Sequence, residues 1–176
     1  MNRTGGQMKT IIVVALAGAL TAAAQNPLSA DARSLYNTVK GEVLRSAEKM
    51  PEENYSFRPT PEVRSFGQLI GHVADAQYEF CSPVKGESRP SSVEKTAKTK
   101  AELIAGLKQA FAYCDPLYSS LTDATAAETV KFGGRDMTRL GVLTFNSFHA
   151  EEHYGNMVTY LRMKGLVPPS SERNSR

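Results

Sequence analysis

The sequence predicts an all-α protein, a single four-helix bundle, on three observations. Four segments space their apolar residues with helical periodicity, no segment sustains the alternation of a strand, and residues that start and stop helices bound the segments. At 176 residues with 41% hydrophobic content, the chain can bury one substantial core and is short for two domains.

The first helix is expected from about Ala30 to Met50, with Leu35, Tyr36, Val39, Val43, Leu44 and Ala47 on one stripe and Pro51 ending it. Pro51 to Arg64 holds three prolines and reads as a long ordered loop. Ser65 is a suitable N-cap for a second helix through about Cys81, whose stripe is Phe66, Leu69, Ile70, Val73 and Phe80. His72 lies beside that stripe. Ser82 to Lys98, with Pro83, Gly86, Pro90 and several serines and lysines, is expected to be a mobile, solvated linker.

Thr99-Lys100-Ala101-Glu102 fits a capping box and opens a third helix to about Leu121, along which Leu103, Ile104, Leu107, Ala110, Phe111, Cys114 and Leu117 recur. Pro116 inside it predicts a kink or a local break. After a loop containing Gly133-Gly134, the fourth helix is expected from about Thr138 to Lys164, stopped by Gly165 with Pro168-Pro169 beyond. Residues 170–176 read as a frayed tail.

Residues 1–24 have the layout of a secretory signal: Arg3 and Lys9, an apolar run from Ile11 to Leu20, then Ala22-Ala23-Ala24. Cleavage is expected near Ala24-Gln25, whether translation starts at Met1 or Met8. The apolar run is shorter than the roughly 20 residues that span a bilayer, so no stable membrane span is expected after cleavage. The mature chain is thus expected to be exported, periplasmic or secreted, with residues 25–169 forming the bundle domain. Removing Arg3 and Lys9 reduces the formal charge from +3 to +1, and no run of five like charges occurs, so no nucleic-acid partner is expected. In an oxidising compartment Cys81 and Cys114 are free to form a disulfide, although two separate small core residues fit the sequence equally well.

The chemistry concentrates in His149-Ala150-Glu151-Glu152-His153, which sets two imidazoles four residues apart on one helical face. At about 100° per residue, that face also holds Val142, Phe145, Asn146, Met157 and Tyr160, whereas Thr144, Glu151, Gly155, Thr159 and Arg162 lie opposite. The histidines therefore point into the bundle, where a divalent cation would satisfy their nitrogens. A third ligand is expected on a facing helix, and His72 is the one histidine left. Tyr160 and Asn146 are placed to orient a ligand, Tyr160 reading more simply as a core aromatic. Ala150 stands where an HExxH metalloprotease needs glutamate, so that role is not assigned; Glu152 lies within range of a supporting bond to a histidine, and Glu151 reads as solvated. The sequence assigns no catalytic residue.

Two strings carry a family resemblance. Arg58-Pro-Thr-Pro-Glu-Val-Arg-Ser65-Phe-Gly-Gln-Leu-Ile-Gly-His72-Val-Ala-Asp75 resembles the entry to the second helix of the DinB/YfiT-like proteins, and Phe148-His149-Ala-Glu-Glu-His153-Tyr154-Gly-Asn-Met-Val-Thr-Tyr160-Leu-Arg162 resembles their last metal-bearing helix. The resemblance runs from about Asp31 to Pro169. It implies an up-down-down-up bundle holding one divalent ion, zinc or nickel and less commonly iron, on His72, His149 and His153. It also implies a small-molecule substrate and, in some relatives, transfer of a thiol to an electrophile, with hydrolysis as the adjacent chemistry. Those thiol-transferring relatives act in the cytoplasm, which is at odds with the expected export. The other reading is a non-catalytic metal- or ligand-binding bundle, and bundles of this size also form homodimers.

Overall fold

The computed structural model describes residues 26–172; the expected signal segment and residues 173–176 of the expected tail lie outside the described residues. Four long helices form the bundle: α1 (Pro27–Lys49), α2 (Phe66–Lys85), α4 (Lys100–Ser120) and α6 (Arg139–Met163). Between them lie two one-turn helices, α3 (Val93–Thr96) and α5 (Asp123–Ala126), and a hairpin of β1 (Thr129–Phe132) and β2 (Arg135–Thr138). Ser65 and Thr99 both close capping boxes, with Gln68 and Glu102 respectively, so α2 and α4 begin where the sequence predicts. Among the described residues no helix is long and apolar enough to cross a membrane.

Side-chain contacts fix the helix directions. The start of α1 meets the end of α4 through Tyr36, whose hydroxyl donates to the Phe111 carbonyl at 3.1 Å and to Asp115 at 2.9 Å. The end of α1 meets the start of α4 where Lys100 donates to the Glu48 and Met50 carbonyls. These two helices are antiparallel. Gly67 lies against Leu103, and Tyr78 packs on Tyr113, so α2 runs parallel to α4. Asn146 reaches Gln77 at one end while Tyr160 packs on Phe66 at the other, which makes α6 antiparallel to α2. The order is up, down, down, up. Buried Val39, Val43, Phe66, Ile70, Leu107, Phe111, Leu143 and Met157 fill the centre.

A parallel α2–α4 pair forces the connection between them to travel back along the bundle, over the roughly 30 Å that a 20-residue helix spans. That requirement overturns the expected mobile linker. Helix α2 continues past Cys81 to Lys85, through Pro83, and the returning chain is fastened to α2 at α3. Asp75 accepts from the Ser91 hydroxyl at 2.6 Å and from the Val93 and Glu94 amides at 2.7 and 3.1 Å, so a carboxylate on α2 caps α3. Gly71 makes the approach feasible, since a Cβ there would lie 2.4 Å from the Glu94 Cα.

Other expectations are corrected too. Of the kink or local break expected at Pro116, the break does not occur, for α4 runs through it; the carbonyl that proline leaves unpaired belongs to exposed Ala112, which water can satisfy. The loop around Gly133-Gly134 is a hairpin, and φ values of 58° and 77° at those glycines give the two-residue turn that matches strand twist. Helix α1 starts at Pro27, three residues before the expected Ala30, and Leu35 is 67% exposed, outside the buried stripe. The tail is tied down as far as Glu172: Tyr154 donates to Ser170 at 2.7 Å, and Lys49 pairs with Glu172. Cys81 and Cys114, both fully buried, form a disulfide between α2 and α4 with their Cα atoms 5.6 Å apart.

Candidate metal centre

Helix α6 presents His149 and His153 one turn apart, and antiparallel α2 brings His72 opposite them. The His149 Nε2 stands 3.3 Å from the His72 Nε2 and 3.1 Å from the His153 Nε2. All three residues offer a ligand nitrogen within 4.8 Å of the others. Two nitrogens on one tetrahedral zinc, at roughly 2.0–2.1 Å each, stand about 3.3 Å apart, so the donor set fits a single ion. Three lone pairs converging this closely also need a cation or shared protons between them.

The imidazoles are held neutral, the form that binds metal. Burial lowers the His72 pKa, with Arg64 adding to the effect and Glu94 opposing it. Burial followed by the neighbouring His72 lowers that of His149. His153 is pushed down to about 3, by burial first and then by His149, His72 and Arg64.

The far nitrogens bring in residues to which the sequence drew no attention. Glu94 on α3 faces His72, with Oε2 3.6 Å from Nδ1, and its other oxygen accepts from the Arg64 Nε at 3.0 Å. Asn156, one turn beyond Glu152, has its amide 3.4 Å from the His153 Nδ1. The His149 Nδ1 is buried and has no hydrogen-bond partner among the described residues. A carboxylate behind a ligating histidine accepts from the far ring N–H and leaves the near nitrogen's lone pair for a metal, and Asn156 serves His153 in that way only through its Oδ1, with the amide turned about. Asp75 and Gly71, which seat Glu94, were the signals available, but they have meaning only once α3 is known to return along α2.

The other candidates separate. Tyr160 is 6% exposed and packs on Phe66, yet its hydroxyl donates to the Arg64 carbonyl at 2.8 Å and it lines a cavity. Asn146 is not at that cavity; it is fully buried and donates to Gln77 at 2.9 Å and to Tyr118 at 3.1 Å. Glu152 is exposed and acts on His149 through its charge, while Glu151 is exposed as expected. Phe145, placed on the inward face, is 45% exposed and packs on Phe80 and Phe132 of the hairpin, while Phe80 in turn packs on His149. The cavity beside the histidines measures about 470 Å³ and is lined by Arg64, Leu69, Glu94, His153, Asn156 and Tyr160, with Glu62 and Val63 at its edge.

The family model of the DinB superfamily matches residues 36–157. The uncharacterized protein YjoA of Bacillus subtilis is 25% identical over 123 residues, covering 68% of this chain and 79% of YjoA. Its crystal structure superposes with a TM-score of 0.66 at 21% identity, over 81% of this chain and 99% of that one. YfiT of Bacillus subtilis, described as a probable metal-dependent hydrolase with an unusual four-helix bundle topology, matches with a TM-score of 0.62 at 16% identity, covering 81% and 90%. A variant of the mycothiol-dependent maleylpyruvate isomerase matches at 0.62 and 15% identity, over 73% of this chain and 60% of the isomerase. At these identities the structural matches establish the shared fold.

Proposed function

The chain belongs to the DinB superfamily, and from that premise we propose that it is a divalent-metal protein whose His72, His149 and His153 hold the ion and whose adjoining cavity receives a small-molecule substrate. The observation that carries this reading is the convergence of three neutral imidazoles, with Nε2 atoms 3.1 and 3.3 Å apart, beside a cavity of about 470 Å³. Three protein ligands leave coordination open, as catalytic rather than closed structural sites do. When bound, an ion of this type makes a thiol or water a competent nucleophile at neutral pH by lowering its pKa.

The residues of the chain supply the rest. Glu94 supports His72 from behind, and Asn156 stands behind His153, where its Oδ1 is the atom able to accept from the far ring N–H. Tyr160 and Leu69 wall the cavity, and Arg64 places a fixed positive charge there. The two chemistries named for the structural relatives, metal-dependent hydrolysis and a mycothiol-dependent isomerisation, would call on water and on a thiol respectively. An all-imidazole set suits zinc, nickel, iron and copper alike, and the family resemblance favours zinc or nickel, with iron also compatible. Export belongs to the same proposal: it is supported by the signal-like residues 1–24 and by the buried Cys81–Cys114 disulfide, a bond that persists in oxidising compartments.

Elemental analysis of the purified protein tests the centre. One ion per chain is expected, lost in His72→Ala, His149→Ala and His153→Ala alike. Full metal content in any of these variants would refute the three-histidine site. A metal-loaded protein is then expected to convert electrophiles in the presence of a thiol or water; loading without any turnover across such a screen would favour a binding role.

A further inference from the structure

We propose that Arg64 forms an anion subsite in the cavity beside the histidines, one that takes the carboxylate of a small substrate whose other end reaches the ion. The proposal rests on the metal-centre reading above. Its starting observation is how firmly Arg64 is held for a residue on an irregular segment. Its backbone carbonyl accepts from Tyr160 at 2.8 Å, and its Nε donates to Glu94 at 3.0 Å. Glu94 is itself anchored, because its amide donates to Asp75 and its backbone packs on Gly71. An unrestrained surface arginine would sample many rotamers; this one is fixed at both ends.

With Nε occupied by Glu94, the two terminal nitrogens form the remaining edge of the guanidinium, and that planar pair matches a carboxylate in bidentate geometry. The side chain is 43% exposed and lines the cavity together with His153, Asn156 and Leu69. Three neutral imidazoles cancel none of an ion's charge, and a divalent ion together with Arg64 outweighs Glu94 and Glu62, the two acids that line the cavity, so the loaded cavity is electropositive. The other acid lining the cavity, Glu62, is exposed, and hydrogen bonding from its own backbone amide and from Thr60 holds its carboxyl below the usual range. Val63 and Leu69 supply an apolar wall for a short hydrocarbon link between the two ends of the ligand, and the volume of about 470 Å³ suits a molecule of that size.

The test uses the cobalt-loaded protein and two probes of equal length: the monohydroxamate of succinate, which carries a free carboxylate, and butyrohydroxamate, which does not. Both present the same metal-binding head, and binding is followed by the change in the visible cobalt bands. The carboxylate probe is expected to bind about ten-fold or more tightly than the neutral one. That preference should vanish in Arg64→Met and survive in part in Arg64→Lys, each variant compared at one bound cobalt per chain, so that any loosening of Glu94 behind His72 weakens both probes together and their ratio alone reports the subsite. Equal affinity for the two probes in the wild type, or a preference that persists in Arg64→Met, overturns the subsite while leaving the metal centre standing. Absence of cobalt bands that depend on the histidines overturns the centre itself, and the subsite with it.

Discussion

His72 is supported from behind by an acid that lies 22 residues further along the chain. A carboxylate facing its Nδ1 favours the tautomer that carries the proton there, which frees the Nε2 lone pair on the side of His149. Glu94→Ala is therefore expected to weaken metal binding by about 10- to 100-fold, with Glu94→Gln closer to wild type, as measured by competition with a chromophoric chelator. The buried histidines also tie stability to pH. The folded-state pKa of His153, about 3, lies below its ordinary 6.5, so between those values the unfolded chain takes up a proton that the folded chain refuses. This contribution is fully present above about pH 6.5 and is lost progressively as pH falls toward about 3. Urea titrations of the metal-free protein should show the midpoint dropping across that window, less steeply in His153→Gln.

At the scale of elements, the return strand between α2 and α4 does more than connect. The four residues of α3 have too little structure of their own to hold a helix. They persist because Asp75 caps them and Gly71 lets them lie against α2. Gly71→Ala would force a methyl into the Glu94 backbone, where the rigid neighbour cannot yield as a flexible side chain would. A loss of about 1–3 kcal/mol is expected by chemical denaturation. The same variant should also weaken metal binding, because Glu94 moves with α3; unchanged affinity in a destabilised variant would separate α3 from the site. The hairpin plays a smaller part, turning Val130, Phe132 and Met137 toward the bundle and setting Phe132 on Phe80. Its alternation is only four residues long, with Gly133-Gly134 as the clearest local sign, which is why a search for sustained alternation passes over it.

For the molecule as a whole, the parallel α2–α4 pair is the costly feature of the topology, since its ends are joined by a long return. The Cys81–Cys114 bond spans that return, with a separation of 33 residues. On loop entropy such a bond stabilises by about 4 kcal/mol, and the double variant Cys81→Ser/Cys114→Ser should lose most of that in denaturant titrations. What the sequence determined by itself was local: which segments are helical, where Ser65 and Thr99 start them, and that His149 and His153 share an inward face. Each follows from chemistry within a few residues, where capping oxygens, prolines and a 3.6-residue period act regardless of the rest of the chain. The pairing of His72 with that face came from elimination, as the one histidine left, and from family resemblance, because spacing within one helix says nothing about its neighbour. Only the tertiary structure decided that Cys81 meets Cys114, that Asn146 turns away into the core, and that the supposed linker carries Glu94 and seats Arg64. Composition marked that stretch as polar and mobile, but Asp75, Gly71 and Arg64 supply from outside it the hydrogen bonds and the space that hold it in place. A segment fixed by partners distant in sequence leaves no periodicity of its own to read.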